Sequence, residues 1–81
     1  MSYLEMVVST IRVELGLEEK YPIDGDAYLE SLPGYDSITF INLVAQFEKQ
    51  FGTQLDIEKL ANVSTVYELS KTLESAIPVG Q

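Results

Sequence analysis

The chemistry that this sequence could support centres on Ser37, which directly follows Asp36 and precedes a long apolar-rich segment. A serine becomes a nucleophile when a neighbouring base removes its proton. The chain has no histidine, and no lysine lies close to Ser37 in the sequence. Two roles remain for this serine: a passive residue in the first turn of a helix, or a residue that another enzyme modifies.

Composition restricts the chemistry further. The chain contains no cysteine and no histidine, which excludes disulfides, thiolate nucleophiles, Cys/His zinc sites and histidine acid–base catalysis. Its 13 acidic residues outnumber the 5 basic ones, and the net charge is −8. Such a surface repels nucleic acids and anionic membranes, so the charge favours protein partners with basic surfaces.

Length and hydropathy indicate a single soluble domain. The 81 residues, 46% of them hydrophobic, suffice for one small core. The N-terminal segment has no Lys or Arg before its short apolar run, unlike a signal peptide. No apolar run approaches the roughly 18 residues that a membrane span needs. We therefore expect a cytoplasmic monomer, with residues 1–77 forming one domain and residues 78–81 a short tail.

Apolar spacing predicts the two longest helices. Apolar residues recur at i, i+3 and i+4 over Ser2–Leu15, and again over Ser37–Phe51, as expected for amphipathic helices. Gly16 and Gly52 follow these segments and are suited to end them. Between the two helices lies a loop of roughly 20 residues, which is unusually long for a compact domain. The side chains predicted to anchor this loop on the helices are Tyr21, Ile23, Tyr28, Leu29 and Leu32.

Two shorter segments complete the predicted fold. A brief third helix is expected at about Ile57–Asn62. Thr65 and Glu68 have the spacing of a capping box, which predicts the start of a fourth helix. The apolar side of that helix comprises Leu69, Leu73 and Ile77. The predicted fold is all-α: a small four-helix bundle of three longer helices and one short helix, with a long first loop.

The second helix has more apolar surface than one core contact requires. At about 100° per residue, the core stripe comprises Phe40, Leu43, Val44, Phe47 and Phe51. Thr39, Gln46 and Gln50 are predicted on the opposite, solvated side. A second stripe comprises Ile38, Ile41 and Ala45, with Asn42, Glu48 and Lys49 as its polar rim. Either this second stripe packs under the loop or the third helix, or it is an exposed docking face.

The start of the second helix defines the setting of Ser37. Asp36 is predicted to be the N-cap, because its carboxylate can accept hydrogen bonds from first-turn amides. Ser37 is then the first helical residue, with its hydroxyl beside unpaired N–H groups. A phosphate ester on that oxygen would lie where helix N-termini favour anions.

These residues resemble a known motif. The run Gly34-Tyr35-Asp36-Ser37-Ile38 is similar to the Gly-x-Asp-Ser-Leu/Ile motif of acyl and peptidyl carrier proteins. Further residues follow the spacing of those carriers downstream of the serine: Phe51-Gly52, Leu55, Leu60, Thr65-Val66 and Glu68-Leu69. The resemblance covers nearly the whole chain, from the first helix through the fourth.

The resemblance implies a free-standing acyl or aminoacyl carrier that is not itself an enzyme. Ser37 would receive 4′-phosphopantetheine from coenzyme A through a separate phosphopantetheinyl transferase, and Asp36 would help present the serine. The thiol of this arm would carry thioester-linked intermediates. They would pass between loading and elongating enzymes of a fatty-acid, polyketide or nonribosomal-peptide pathway. Ile38 and Ile41 match apolar family positions that contact partner enzymes, and Glu48 matches one of the family's acidic positions on the second helix.

The chain also departs from the family pattern. Asn42 and Lys49 stand where fatty-acid carriers usually have glutamates, and Pro33 replaces a frequent leucine. The segment FGTQLDIEKLANVSTVYEL is closer to carriers of polyketide and nonribosomal-peptide assembly.

Two other functions are compatible with the residues alone. The first is a cofactor-free helical module that binds partners through Ile38, Ile41 and Ala45. The second is an enzyme or metal-binding protein, for which Asp24-Gly25-Asp26 and Glu30 hint at a calcium loop. However, Tyr28 occupies a position where such a loop needs a ligand.

Overall fold

A computed structural model describes residues 3–76 as an all-α bundle. Its elements are α1 (Tyr3–Leu15), a 3-10 helix (Leu29–Ser31), α2 (Ser37–Phe51), α3 (Ile57–Ala61) and α4 (Val66–Ala76). The predicted fold class is confirmed, and α3 ends one residue before the predicted limit. The described residues include no strand, and one isolated backbone bridge joins Tyr28 to Thr65. Ser2, Ile77 and the predicted 78–81 tail lie outside the described residues.

The core lies where α1 packs against α4 and α2, while α3 packs against α4. Val7 and Ile11 on α1 are fully buried, as is Phe47 on α2. The other buried apolar side chains are Leu29, Leu32, Leu43, Val44, Leu55, Leu60, Val66, Leu69 and Leu73. The predicted core stripe of α2 is confirmed, with Phe40 and Phe51 packed at its edge.

Side chains anchor the long first loop, mostly at the predicted positions. Leu29 and Leu32 are buried, and Tyr21 and Ile23 pack partly buried against the core. The prediction for Tyr28 was wrong, because this side chain is 62% exposed. Tyr28 is held through its backbone instead, in the bridge to Thr65.

Backbone hydrogen bonds join the loop to the start of α4. The N–H groups of Val66 and Tyr67 donate to the carbonyls of Ala27 (3.0 Å) and Gly25 (2.7 Å). The N–H of Leu29 donates to the carbonyl of Ser64 (2.9 Å). The loop thereby supplies acceptors for the first-turn amides of α4, which have no partner within their own helix.

Arg12 fixes the beginning of the loop. Its Nη1 donates to the carbonyl of Tyr21 (2.8 Å) and to the carbonyl of Glu18. A single guanidinium thus closes the turn that follows α1 over residues 16–21. Because of these ties, a loop of this length keeps a defined path.

The predicted helix boundaries have the expected chemistry. The N–H of Glu68 donates to Thr65 Oγ1 (3.1 Å), and Glu68 Oε1 accepts from the N–H groups of Thr65 (3.1 Å) and Ser64 (2.8 Å). This confirms the capping box of α4. At the end of α2, Gly52 has a φ of 66°, and its N–H donates to the carbonyl of Glu48 (2.8 Å).

Two features of the described residues bear on the alternative functions. None of the helices within residues 3–76 is long and apolar enough to cross a lipid bilayer. The same residues contain no group of three or more acidic side chains placed to hold a metal ion, and Asp24, Asp26 and Glu30 do not form one.

Candidate functional site

Asp36 caps the N-terminus of α2, as predicted. Its backbone is extended (φ −153°, ψ −174°), and its Oδ1 accepts the N–H of Thr39 at 2.9 Å. Thr39 Oγ1 in turn accepts the N–H of Asp36 at 2.7 Å. These reciprocal bonds form a capping box and fix the backbone on both sides of Ser37.

The sequence analysis did not predict the capping role of Thr39, and it placed this residue on the solvated side of the helix. The signal was present as the spacing Asp-x-x-Thr, which allows a reciprocal bond. The usual third helical residue of a capping box is Glu or Gln, so the pattern was not recognised. The hydroxyl of Thr39 replaces that longer side chain here.

The cap also affects the charge beside Ser37. The pKa of the Asp36 carboxyl is lowered from its ordinary value of 3.8, mainly because the N–H of Thr39 donates to it. The hydroxyl of Thr39 and the N–H of Ile38 act in the same direction. The carboxylate is therefore ionised at neutral pH and remains bound to the first turn.

Ser37 is exposed, as the first residue of α2. No residue between positions 3 and 76 makes a hydrogen bond with its hydroxyl. The first turn of α2 contains no acidic residue, so the positive end of the helix dipole is offset there only by its cap, Asp36. The hydroxyl is thus available to an external reagent, at a position that suits a phosphate.

A groove of about 520 Å³ opens beside Ser37. It lies between the 3-10 helix, the start of α2, and the end of α3 with the connection to α4. The lining residues are Tyr28, Leu29, Glu30, Tyr35, Asp36, Ser37, Phe40, Leu60, Ala61, Val63 and Ser64. The sequence did not predict this groove, because its walls come from three separate segments.

Tyr35 forms part of the groove wall and precedes the capping residue. The pKa of its phenol is raised from 10.0, first by burial and then by the nearby negative charge of Glu30. Tyr35 is therefore neutral at physiological pH, where its hydroxyl can donate as well as accept a hydrogen bond.

The second apolar stripe of α2 is open to solvent. Ile38 is 68% exposed and Ile41 is 56% exposed, and Asn42 and Ala45 are exposed beside them. The interpretation in which the loop or the third helix covers this stripe is wrong for these residues. Large aliphatic side chains exposed next to each other are typical of interaction surfaces.

Glu48 differs from the other predicted rim residues. It is half-buried, and its Oε2 accepts the N–H of Leu55 at 2.8 Å. The carboxylate thus holds the segment that connects α2 to α3. One oxygen of the carboxylate is thus bound within the chain, at a position beside the exposed apolar stripe.

Sequence comparison identifies known proteins that are similar to this chain. The sequence profile of the phosphopantetheine attachment site family matches residues 6–73. An acyl carrier protein of Rhodopseudomonas palustris (strain BisB18) is 35% identical over 75 residues, covering 91% of this chain and 94% of that protein. An acyl carrier protein of Thermotoga maritima is 31% identical over 71 residues, covering 88% of this chain and 86% of that protein.

The chain belongs to the acyl carrier protein family. Acyl carrier proteins are carriers rather than catalysts, and their prosthetic group is a covalently attached 4′-phosphopantetheine. Family membership confirms the predicted resemblance, the predicted cofactor and the absence of enzymatic activity in the chain itself.

The surroundings of Ser37 fit the prosthetic group of an acyl carrier protein. The exposed hydroxyl can form a phosphate ester, which the N-terminus of α2 accommodates. The adjacent groove offers apolar walls from Leu29 and Phe40 and polar groups from Tyr35 and Ser64. Such a mixture suits a chain of methylene groups and amides.

Proposed function

We propose that Ser37 carries the 4′-phosphopantetheine arm and that the protein delivers acyl groups between the enzymes of a biosynthetic pathway. One observation supports this proposal in a member of the acyl carrier protein family. The exposed hydroxyl of Ser37 makes no hydrogen bond within residues 3–76 and lies at a capped helix N-terminus beside an open groove. When bound, the arm supplies a terminal thiol that holds a cargo as a thioester.

The attachment reaction is a phosphoryl transfer from coenzyme A. Ser37 Oγ forms a bond to the phosphorus that bears the pantetheine. The bond from that phosphorus to the oxygen of the adenosine 3′,5′-bisphosphate portion breaks, and this portion leaves. The proton of the serine hydroxyl passes to a base on the phosphopantetheinyl transferase, because the chain has no histidine and the neighbouring Asp36 carboxylate is bound to the first turn of α2.

The residues around Ser37 position the hydroxyl for this step. The capping box between Asp36 and Thr39 holds the first turn of α2 and so fixes the backbone that carries the serine. The ionised Asp36 remains bound to the N–H of Thr39. A transferase thus meets a preorganised serine, which lowers the entropic cost of aligning it with coenzyme A.

The cargo is an acyl group in this proposal. The relatives named acyl carrier protein support that class, and an aminoacyl cargo is the alternative. The likeness of the segment FGTQLDIEKLANVSTVYEL to polyketide and nonribosomal-peptide carriers favours such a pathway over primary fatty-acid synthesis. Loading with an acyl donor and with an aminoacyl donor, each followed by mass spectrometry, distinguishes the two cargo classes.

Intact-protein mass spectrometry tests the attachment site. The protein is incubated with coenzyme A, magnesium and a broad-specificity phosphopantetheinyl transferase, with Ser37→Ala and Ser64→Ala in parallel. Ser64 is the matched control, because it is an exposed serine that lines the same groove. We expect one arm on the wild type and on Ser64→Ala, and none on Ser37→Ala. An arm on Ser37→Ala would contradict the assignment.

A further inference from the structure

We propose that a groove between α1 and α2 binds a basic amphipathic helix of a partner protein, at a site apart from Ser37. This proposal goes beyond the function proposed for Ser37 and does not rest on it. The groove, called the α1–α2 groove below, has a volume of about 370 Å³. Its walls include Met6, Thr10 and Val13 of α1 and Gln46 and Gln50 of α2.

The centre of the α1–α2 groove is apolar. Met6 and Val13 line it, and their spacing of seven residues places them on one side of α1, about two turns apart. Val13 is 80% exposed, the largest exposed fraction among the large apolar side chains of residues 3–76. Apolar residues at this spacing receive the side chains of a second helix. A helix with its own apolar stripe is therefore the element that fits this groove.

Hydrogen bonds hold the two walls of the α1–α2 groove together. Gln50 Nε2 of α2 donates to Thr10 Oγ1 of α1 at 3.0 Å. Thr10 Oγ1 in turn donates to the carbonyl of Met6 at 3.0 Å, and the two helices also pack against each other. The groove is therefore preformed, which lowers the cost of binding because a partner helix does not have to open it.

The charge of the α1–α2 groove favours a basic partner. Glu5 and Glu14 line the groove, and at about 100° per residue they lie on opposite sides of its apolar centre. Within residues 3–76, no lysine or arginine lines it, and the cations nearest in the sequence, Arg12 and Lys49, lie outside the lining. Lysine or arginine side chains on both edges of a partner's apolar stripe would face the two carboxylates.

A second copy of this chain is a poorer occupant of the α1–α2 groove. In a two-fold dimer the same surface of each copy faces the other, so that Glu5 and Glu14 would lie close to the same carboxylates of the second copy. Each chain also has a net charge of −8, which opposes self-association. A basic partner avoids both sources of repulsion.

The position of the α1–α2 groove leaves Ser37 accessible. Gln46 and Gln50 follow Ser37 by 9 and 13 residues, which corresponds to about 14 and 20 Å along α2. They also lie about 180° and 220° around the helix axis from Ser37. A protein bound in the groove can therefore remain in place while enzymes act on Ser37 or its arm, and would keep the carrier close to them.

NMR titration of the isotope-labelled protein with a synthetic helical peptide tests the inference. The peptide has one leucine stripe with lysines on both edges, and a scrambled peptide of the same composition is its control. We expect the leucine-stripe peptide to shift the amide signals of Ser9, Val13, Gln46 and Gln50 until they saturate, and to leave the amide of Ser37 unchanged. The scrambled peptide has the same charge but no apolar side, and should not saturate these shifts.

Substitutions test whether the groove itself binds the peptide. We expect Val13→Gln to raise the Kd of the leucine-stripe peptide roughly tenfold, because it removes an apolar anchor, and Glu14→Gln to raise it about threefold. The matched controls on α3 are Ile57→Gln, at an exposed apolar residue, and Glu58→Gln, at an exposed carboxylate. Both controls should bind within about twofold of the wild type. Urea unfolding verifies that each variant folds.

The transferase reaction tests whether the groove is separate from Ser37. With the leucine-stripe peptide at a saturating concentration, kcat/KM for arm attachment should stay within about twofold of its value without peptide. A larger loss would contradict the separation of the two sites. A wild type that binds the peptide but gains no arm would contradict only the function proposed for Ser37.

Three further results would overturn the inference. Shifts centred on Ile38 and Ile41 would place the peptide on another side of α2. Equal binding of the scrambled peptide would show attraction by charge alone. A wild-type dimer in analytical ultracentrifugation that Val13→Gln dissociates would show that a second copy of the chain fills the groove.

Discussion

Asp36 is the residue that most directly determines where the serine stands. Replacing it with alanine removes the acceptor for the N–H of Thr39. Because the loss of an N-cap weakens the first turn, we expect Asp36→Ala to lower the melting temperature at pH 7 by roughly 3 to 8 °C. The control is Asp26→Ala, which removes an exposed carboxylate that has no side-chain hydrogen bond within residues 3–76.

The contribution of Asp36 depends on pH. The pKa of its carboxyl is lower in the folded protein than the ordinary value of 3.8. Such a group stabilises the fold above its unfolded pKa, and this stabilisation is lost as the pH falls through the folded pKa. We expect the difference in melting temperature between wild type and Asp36→Ala to be full near pH 7 and to close at strongly acidic pH. A difference that grew on acidification would contradict this assignment.

For single residues, the sequence predicted those features that depend on a few neighbouring residues. Asp36 and Ser37 were assigned correctly to the N-cap and the first helical position, because capping is decided within one turn. Tyr28 was predicted to anchor the first loop on the helices, and its side chain is exposed. Its environment depends on the path of a long loop that is tied to α4, and no local pattern encodes that path.

At the scale of the elements, Glu48 holds the position of the segment that connects α2 to α3. Its carboxylate accepts the partly buried N–H of Leu55, and alanine would leave that donor without a partner. We expect Glu48→Ala to lower the free energy of unfolding by about 1 to 2 kcal/mol, measured by urea denaturation. Glu58→Ala, on exposed α3 surface, is the control.

The same variant separates a structural role from a docking role. If Glu48 acts only within the chain, the kcat/KM for arm attachment stays within about twofold of the wild type. A large loss of kcat/KM with unchanged stability would instead identify Glu48 as a docking residue, as the family resemblance implies.

The first loop depends in a comparable way on Arg12. Its guanidinium donates to the carbonyls of Glu18 and Tyr21, and hydrogen bonds from a charged group are stronger than neutral ones. We expect Arg12→Ala to lower the free energy of unfolding by about 1 to 2 kcal/mol. Arg12→Lys keeps the charge but has no planar fork, and it should recover only part of that loss.

Hydrogen exchange locates the effect of Arg12→Ala. Faster exchange is expected at the amide of Tyr21, which donates to the carbonyl of Glu18 within the turn that Arg12 closes. Uniformly faster exchange over all helices would show a global effect and would contradict a local anchor.

The elements themselves were largely predictable. Apolar periodicity, Gly52 and the capping box at Thr65 gave the helices within one residue of their limits, since each signal lies within the element it defines. The role of Glu48 was not predictable, because its partner is a backbone N–H whose position depends on how the chain turns after α2.

At the scale of the whole fold, Phe47 is the largest fully buried side chain among residues 3–76. Its removal leaves a cavity at the centre of a small core. We expect Phe47→Ala to cost about 3 to 5 kcal/mol, a large share of the stability of a domain this small. Phe47→Leu should cost considerably less, because it retains most of the buried volume. Urea denaturation of both variants tests this, and equal costs would show that the core refills the cavity.

The packing of the elements against one another was the feature least predictable from the sequence. Composition and periodicity indicated one core and its main residues, including Leu43, Val44 and Phe47. The groove beside Ser37 requires the 3-10 helix and the residues around Leu60 and Ser64 to meet α2. Such contacts join positions far apart in the sequence, and no spacing rule encodes them.

The lining of that groove has a consequence for how long a cargo survives. A thioester is an activated bond that amines and thiolates cleave, and within residues 3–76 the groove is lined by neither lysine nor cysteine. Its phenol at Tyr35 is held in the protonated form by burial and by Glu30, which makes it a poor nucleophile. An arm that folds back into the groove would meet neither an amine nor a thiolate. The lifetime of the loaded state would then be set by water and by the enzymes that collect the cargo.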